Sequence, residues 1–309
     1  MTPRYPLLAL GLIVAGCFIA PATAASPLHV LYFTKSSGFE HEVIKRGEHG
    51  EPSPSESVLS RLGQQHEITF TFSKDGSLFT PEYLQQFDVV CFYTSGNLER
   101  RGTDGNPPMS PAGKQALLDW VRAGGGFMAL HAASDTFHTG ENVDGNPPAA
   151  DRAARYRFHG DASDPYVKLL GGEFINHGAQ QVATVSVIDP AFPGFEAVGP
   201  ALQLQEEWYT LKEFSPRLHV LLVMRTAGMR GADYQRPDYP LAWAMPYGKG
   251  RVWFNAMGHR QDVWDATFYQ AMLVGAFNWT GGRVSADVTP NLAEVAPEAH
   301  RLQAAPTLR

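Results

Sequence analysis

The sequence predicts an α/β fold built on a mostly parallel sheet. Three observations carry this reading. Strand-length runs of β-branched and aromatic residues alternate with helical segments, several of those runs are apolar throughout, and capping or glycine signals separate them.

In order, residues 28–34 form the first strand-length run. Ser53-Pro54-Ser55-Glu56 is a capping box with proline at the first helical position, and the helix it opens carries Val58, Leu59 and Leu62 on one face. Residues 68–72 alternate as a second strand, Thr80-Pro81 starts a short helix, and residues 88–93 make an apolar strand holding Cys91. Ser110-Pro111 caps a helix with Leu117, Leu118 and Val121 at helical spacing. It stops at Gly124-Gly125-Gly126, and residues 127–131 follow as a strand ending on His131. The later half is richer in strands, at 182–188, 218–224, 241–245 and 251–256, and a last helix spans about 264–279. Residues 284–309 are rich in alanine and proline and read as a loosely held tail.

Composition bounds the function. The chain has 309 residues, 44% of them hydrophobic and 18% charged, with a net charge of −6. That apolar share excludes a disordered chain, and the lack of a lysine/arginine run argues against a nucleic-acid binder. Residues 1–24 combine Arg4, a short apolar stretch and an Ala-x-Ala end, the pattern of a secretory leader. A periplasmic or secreted location follows as the expectation. Val14-Ala15-Gly16-Cys17 is also compatible with a lipobox, which would make Cys17 a lipid anchor instead. No later run reaches the ~18 apolar residues of a membrane span. Removal of the leader leaves Cys91 alone, so an internal disulfide is excluded, and a buried strand residue is its plain reading.

Several motifs are missing. Neither a glycine-rich dinucleotide fingerprint nor a Walker motif follows the first strand, so no nucleotide cofactor is expected. A doubly wound hydrolase would place its nucleophile at the turn after Leu130, where this chain has His131. Histidines instead gather at strand ends and loops: His41, His131, His177 and His259. In an open parallel sheet the carboxyl ends of the strands face one crevice, so these side chains can converge. Glu206-Glu207-Trp208-Tyr209 adds two carboxylates and two aromatics. Imidazole with carboxylate suits a divalent metal such as zinc, manganese or iron, and equally suits general acid–base work. His41, His131, Glu207 and His259 are the candidate catalytic residues, with Glu207 as base. Asp135, Glu206, Trp208 and Tyr209 are candidates for substrate binding, the two aromatics as a wall for a sugar ring or simply as strand core. His131, His177 and His259 are the candidate metal ligands. His29, His49, His66, His219 and His300 read as solvated or hydrogen-bonded, and His138 and His159 border a long charged segment, residues 139–159, that is either a lid or a surface excursion.

In this order, Gly38-Phe39-Glu40-His41-Glu42, residues 87–96, residues 124–136, Leu170-Gly171-Gly172-Glu173-Phe174 through His177, Glu206-Glu207-Trp208-Tyr209, and residues 247–253 through Gly258-His259 resemble the ThuA-like (trehalose-utilisation) family. The resemblance spans roughly residues 28–282, which frames a domain at 25–283. It implies a flavodoxin-like three-layer sandwich similar to class I glutamine amidotransferases without their nucleophilic cysteine. It also implies sugar metabolism, often beside oxidoreductases that make 3-keto-glycosides. Two positions depart from the family pattern: Glu206 stands where aspartate is usual, and Gly178 follows His177 where proline is usual.

The expectation is therefore an exported sugar-processing enzyme that isomerises, hydrolyses or eliminates 3-keto-glycosides. The α-proton of such a ketone is acidic, so a base and a carbonyl-polarising group suffice. A non-catalytic carbohydrate-binding protein using the same crevice is the alternative. Amidohydrolysis would need Ser134 or Cys91 as nucleophile.

Overall fold

The computed structural model describes residue 1 and residues 26–140 and 155–305. The expected leader with its Cys17, and residues 141–154 of the expected lid, lie outside the described residues. The chain forms β1 (Leu28–Phe33), α1 (Pro54–His66), β2 (Ile68–Ser73), α2 (Pro81–Leu84), β3 (Val89–Phe92), α3 (Pro111–Ala123), β4 (Gly126–Leu130), α4 (Pro165–Leu170), β5 (Glu173–His177), β6 (Gln181–Val187), β7 (Ala201–Glu206) and β8 (Tyr209–Lys212). The remainder are β9 (His219–Arg225), β10 (Tyr239–Tyr247), β11 (Gly250–Asn255), α5 (Gln261–Asp265), α6 (Thr267–Thr280) and α7 (Leu292–Val295).

Nine strands form one mixed sheet in the order β2-β1-β3-β4-β11-β10-β9-β6-β7. From β2 to β11 every pairing is parallel. From β11 outward every pairing is antiparallel. The parallel strands β3 and β4 are buried along their length, and β1 is buried except at His29, which is why they read as apolar runs. Cys91 is among them, fully buried, and burial pushes its thiol far up. The capping box forms: Ser53 Oγ accepts the Glu56 N–H at 3.3 Å, and the Glu56 carboxylate accepts the Ser53 N–H at 2.9 Å. Helix α1 packs with α5 and α6, while α3 packs with α2 and α4, giving the layers of an α/β sandwich.

The order β2-β1-β3 makes the junction of β1 and β3 a topological switch point, where a crevice opens beyond the strand ends. Two isolated bridges, Ser36 with Ser95 and Gly96 with Thr136, hold the loops around it.

Three features differ from the sequence expectation. Strands β5, β7 and β8 were not expected, and β5 pairs with β8 in a separate two-stranded sheet. The last helix is two helices, because Ala266 adopts extended backbone (φ −72°, ψ 131°) between them. Residues 284–305 are packed and not loose. Leu292, Ala296 and Ala299 are buried, Asn291 bonds both backbone groups of Val220, and Arg236 donates to the carbonyls of Leu211 (2.8 Å) and Ala299 (2.7 Å). No helix among the described residues is long and apolar enough to cross a membrane.

Candidate functional site

His131 stands at the turn after β4, where the chain enters a single 3-10 turn, His131–Asp135. Its φ is +41°, a conformation that costs an L-residue of order 1–2 kcal/mol. The elbow expected from sequence is therefore present, with an imidazole on it. Ser134 next to it is buried, with its hydroxyl donating to the His131 carbonyl at 3.0 Å, so neither Ser134 nor Cys91 is presented as a nucleophile.

Four of the expected residues converge. His41, from the loop after β1, His131, Glu207, from the link between β7 and β8, and His259, from the loop after β11, each offer one ligand atom. These atoms all lie within 4.8 Å of one another. The imidazole centroids of His41 lie 5.0 Å from His131 and 5.1 Å from His259. Glu207 Oε2 is 3.5 Å from His131 Nε2 and 3.0 Å from His259 Nδ1.

Hydrogen bonding prepares these side chains for a cation. His131 Nδ1 lies 2.7 Å from the Ala256 carbonyl oxygen, which can only accept, so Nδ1 carries a proton and Nε2 is the atom turned to the cluster. His131 Nε2, His41 Nδ1 and His259 Nδ1 are buried, and apart from the Glu207 carboxylate beside His131 and His259 none has a polar partner among the described residues. Burial, reinforced by the imidazoles of His131 and His259, holds the His41 pKa well below its ordinary value, so it is neutral. Burial alone would raise the Glu207 carboxyl, but contacts with His131 and His259 outweigh it and hold the group well below the usual carboxylate range. Three neutral-capable nitrogens and one ionised carboxylate form a donor set that can hold a metal ion.

His177 is not a member of that group. It ends β5 opposite Tyr209, its side chain is 39% exposed, and its Nδ1 lies 3.4 Å from the other oxygen of Glu207. Its ring stacks on Tyr209 at 5.6 Å and 15°. Of the expected trio of metal ligands, His131 and His259 lie in this group together with His41 and Glu207, and His177 lies beside it at the rim.

The expected substrate-binding residues separate into three roles. Glu206 is fully buried and binds no solvent-facing group. Its carboxylate accepts the N–H of Glu207 (2.9 Å) and of Gly258 (3.1 Å), and burial raises its pKa. Trp208 is fully buried too, its indole N–H donating to the Gln181 carbonyl at 2.8 Å, so it offers no wall to a ligand. Tyr209 is buried with its ring centroid 4.0 Å from that of His131 and its hydroxyl 3.4 Å from His41 Nε2, which makes it the floor of the cluster.

Asp135 joins a second, mostly buried network that sequence reasoning missed. Its carboxylate contacts His138 Nε2 and lies 3.3 Å from Arg155. His138 Nδ1 meets Glu173 at 3.1 Å, and Glu173 pairs with Lys212 at 3.2 Å. Burial and Arg155 oppose a charge on His138, but hydrogen bonds to Asp135 and Glu173 prevail and lift it to about 9. Glu173, against burial, is lowered to about 2 by His138 and Lys212. Only the position of His138 beside a charged segment hinted at this.

The loop carrying His259 is tightly held. The Gly258 carbonyl accepts from Tyr93 Oη (3.0 Å) and Trp264 Nε1 (2.8 Å), and the Met257 carbonyl accepts from Tyr269 Oη (3.0 Å).

Known proteins place this architecture. Solved structures with the same fold include a ThuA-like protein from Bacteroides uniformis (19% identity, TM-score 0.57, 84% of this chain and 95% of that one). A ThuA-like protein from Parabacteroides merdae is similar as well (16%, 0.55, 85% and 93%). So is a cytoplasmic protein from Salmonella typhimurium (15%, 0.53, 81% and 98%). No curated protein matches the chain. The family model described as trehalose utilisation matches residues 29–280, which supports a sugar-related role. The chain belongs to the ThuA family.

Proposed function

We propose that this protein is an exported sugar-processing enzyme whose reaction centre is the group formed by His41, His131, Glu207 and His259. The observation that carries the reading is the convergence of those four side chains, three of them with buried nitrogens that have no polar partner outside the group, at the carboxyl ends of the strands. They would hold a divalent cation, zinc, manganese or iron. Such an ion supplies Lewis-acid polarisation of a carbonyl or an activated water.

The protein's own groups do the rest. Glu207, held ionised between two imidazoles, is a weak base and serves better as a ligand than in the proton-abstracting role its sequence position suggested. His177 is the exposed imidazole at the rim, stacked on Tyr209 and steadied by Glu207, and it is placed to exchange a proton with a substrate. A 3-keto-glycoside fits this arrangement, since its α-proton is acidic and loss of it leads to isomerisation, elimination or cleavage. The N-terminal leader pattern supports action in the periplasm or outside the cell.

Metal analysis of the purified protein, followed by NMR assay on 3-keto and unmodified disaccharides, tests the reading. Bound metal and conversion of the 3-keto sugar are expected. No metal and no turnover, with sugar binding retained, would assign a non-catalytic carbohydrate-binding protein instead.

A further inference from the structure

Of the two readings the sequence left for Trp208, a wall for a sugar ring or strand core, its burial fits the second. A different ring stands at the crevice. Phe39 is 65% exposed, the most exposed aromatic side chain among the described residues. Its ring meets His41 edge-on, with centroids 4.9 Å apart at 89°. Through His41 it is one ring away from His131 and His259.

This exposure does not come from a loose loop. The Phe39 carbonyl accepts from Ser95 Oγ at 2.7 Å, and the N–H groups of Ser37 and Gly38 both donate to the Ser95 carbonyl, at 2.8 and 3.2 Å. The Gly38 carbonyl accepts from Thr103 Oγ1 at 2.6 Å. Gly96, at φ +72°, lets the two loops touch: a Cβ there would stand 2.6 Å from the Gly38 nitrogen. Residues 37–39 are thus clamped on both sides at the switch point, and the clamp presents an apolar ring to solvent beside polar, ligand-ready nitrogens.

We propose that Phe39 is the platform for a sugar ring, a role that rests on the reading of this crevice as a sugar site. A pyranose carries C–H groups on one face and hydroxyls around its edge. The C–H face lies on the phenyl ring, which leaves the ring oxygens to the imidazoles and to Glu207. An apolar surface next to a few convergent polar groups is how small-ligand sites combine affinity with orientation. Phe39 therefore sets the affinity for sugars and leaves metal binding unchanged.

The test is calorimetric titration of the full-length mature protein with trehalose and with its 3-keto derivative, in wild type, Phe39→Ala and Phe39→Trp. Phe39→Ala should weaken binding of at least one sugar about tenfold, near 1.4 kcal/mol. Phe39→Trp should restore it, with metal content and melting temperature equal in all three. If wild type binds sugar and Phe39→Ala binds it equally well, the platform is wrong while the sugar reading stands. If wild type binds neither sugar, the sugar reading fails and the platform fails with it.

Discussion

The carboxylate of Glu206 accepts the backbone N–H of Gly258 at 3.1 Å, and so ties the loop bearing His259 to the link bearing Glu207, whose own N–H it accepts at 2.9 Å. One buried side chain thereby fixes the spacing of two members of the cluster. Glu206→Gln keeps the shape but replaces one acceptor oxygen by a donor facing an N–H. Supporting contacts of this kind typically change metal affinity by about 10–100-fold. A chelator-competition titration should show a loss in that range with the fold retained, and an unchanged affinity would refute the bracing role.

The division between cluster and rim is open to direct test. Glu207→Gln and His131→Gln should abolish stoichiometric metal, since each removes a converging ligand atom. His177→Gln should keep the metal and lose turnover. Elemental analysis beside the NMR assay reads both, and loss of metal in His177→Gln would return that residue to the ligand set.

A third expectation concerns pH. His138 is raised to about 9 in the folded protein from an ordinary 6.5. Its contribution to stability is fully present below pH 6.5 and is lost as pH rises through 9. Glu173, lowered to about 2, acts in the opposite sense, contributing above its ordinary 4.5 and losing that as pH falls through 2. Denaturant melts between pH 6.5 and 9.5 should show wild type losing of order 1–3 kcal/mol. The His138→Gln curve should be flatter over that range, and parallel curves would mean that His138 is not charged in the fold.

Arg236 holds the C-terminal segment. Its buried guanidinium donates to the carbonyls of Leu211 and Ala299, and it lies over the Tyr239 ring at 4.5 Å. Arg236→Ala leaves two buried carbonyls without that donor and should cost about 2–4 kcal/mol in urea unfolding. A cost below half a kilocalorie, as at an ordinary surface site, would show the segment to be dispensable.

Glu67 ends α1 in the left-handed region at φ +56°, exposed to solvent. Glycine suits that position, so Glu67→Gly should stabilise the protein by about 0.5–1 kcal/mol. Thermal denaturation decides the sign.

How far the sequence foretold this molecule depends on where each signal lives. His41, His131 and His259 were legible because strand ends in a parallel sheet share one crevice, and that rule needs no coordinates. Glu206 and Trp208, named with them as candidates, are buried away from the crevice. Glu207 and Tyr209 meet the imidazoles while Glu206 and Trp208 bond to backbone, a period-two division that the four consecutive residues already contained. His177 could not be placed, since its position depends on β5 pairing with β8 across a register shift, a long-range contact with no local signature. The Asp135–His138–Glu173–Lys212 network was invisible for the same reason. Its members come from three separate segments and meet only after the sheet has formed.

Strand β11 carries a consequence for the order of events in folding. It lies between β4 and β10, so it is the single strand that joins the parallel half of the sheet to the antiparallel half. It is also the last strand made as the chain grows from its N-terminus. Until residues 250–255 emerge, β4 and β10 each keep an unpaired edge, and the loop that delivers His259 does not yet exist. The nascent chain therefore cannot close its sheet or assemble its cluster early, and contacts so distant in sequence form slowly. The donor group of His41, His131, Glu207 and His259 is therefore among the last parts of the fold to come together.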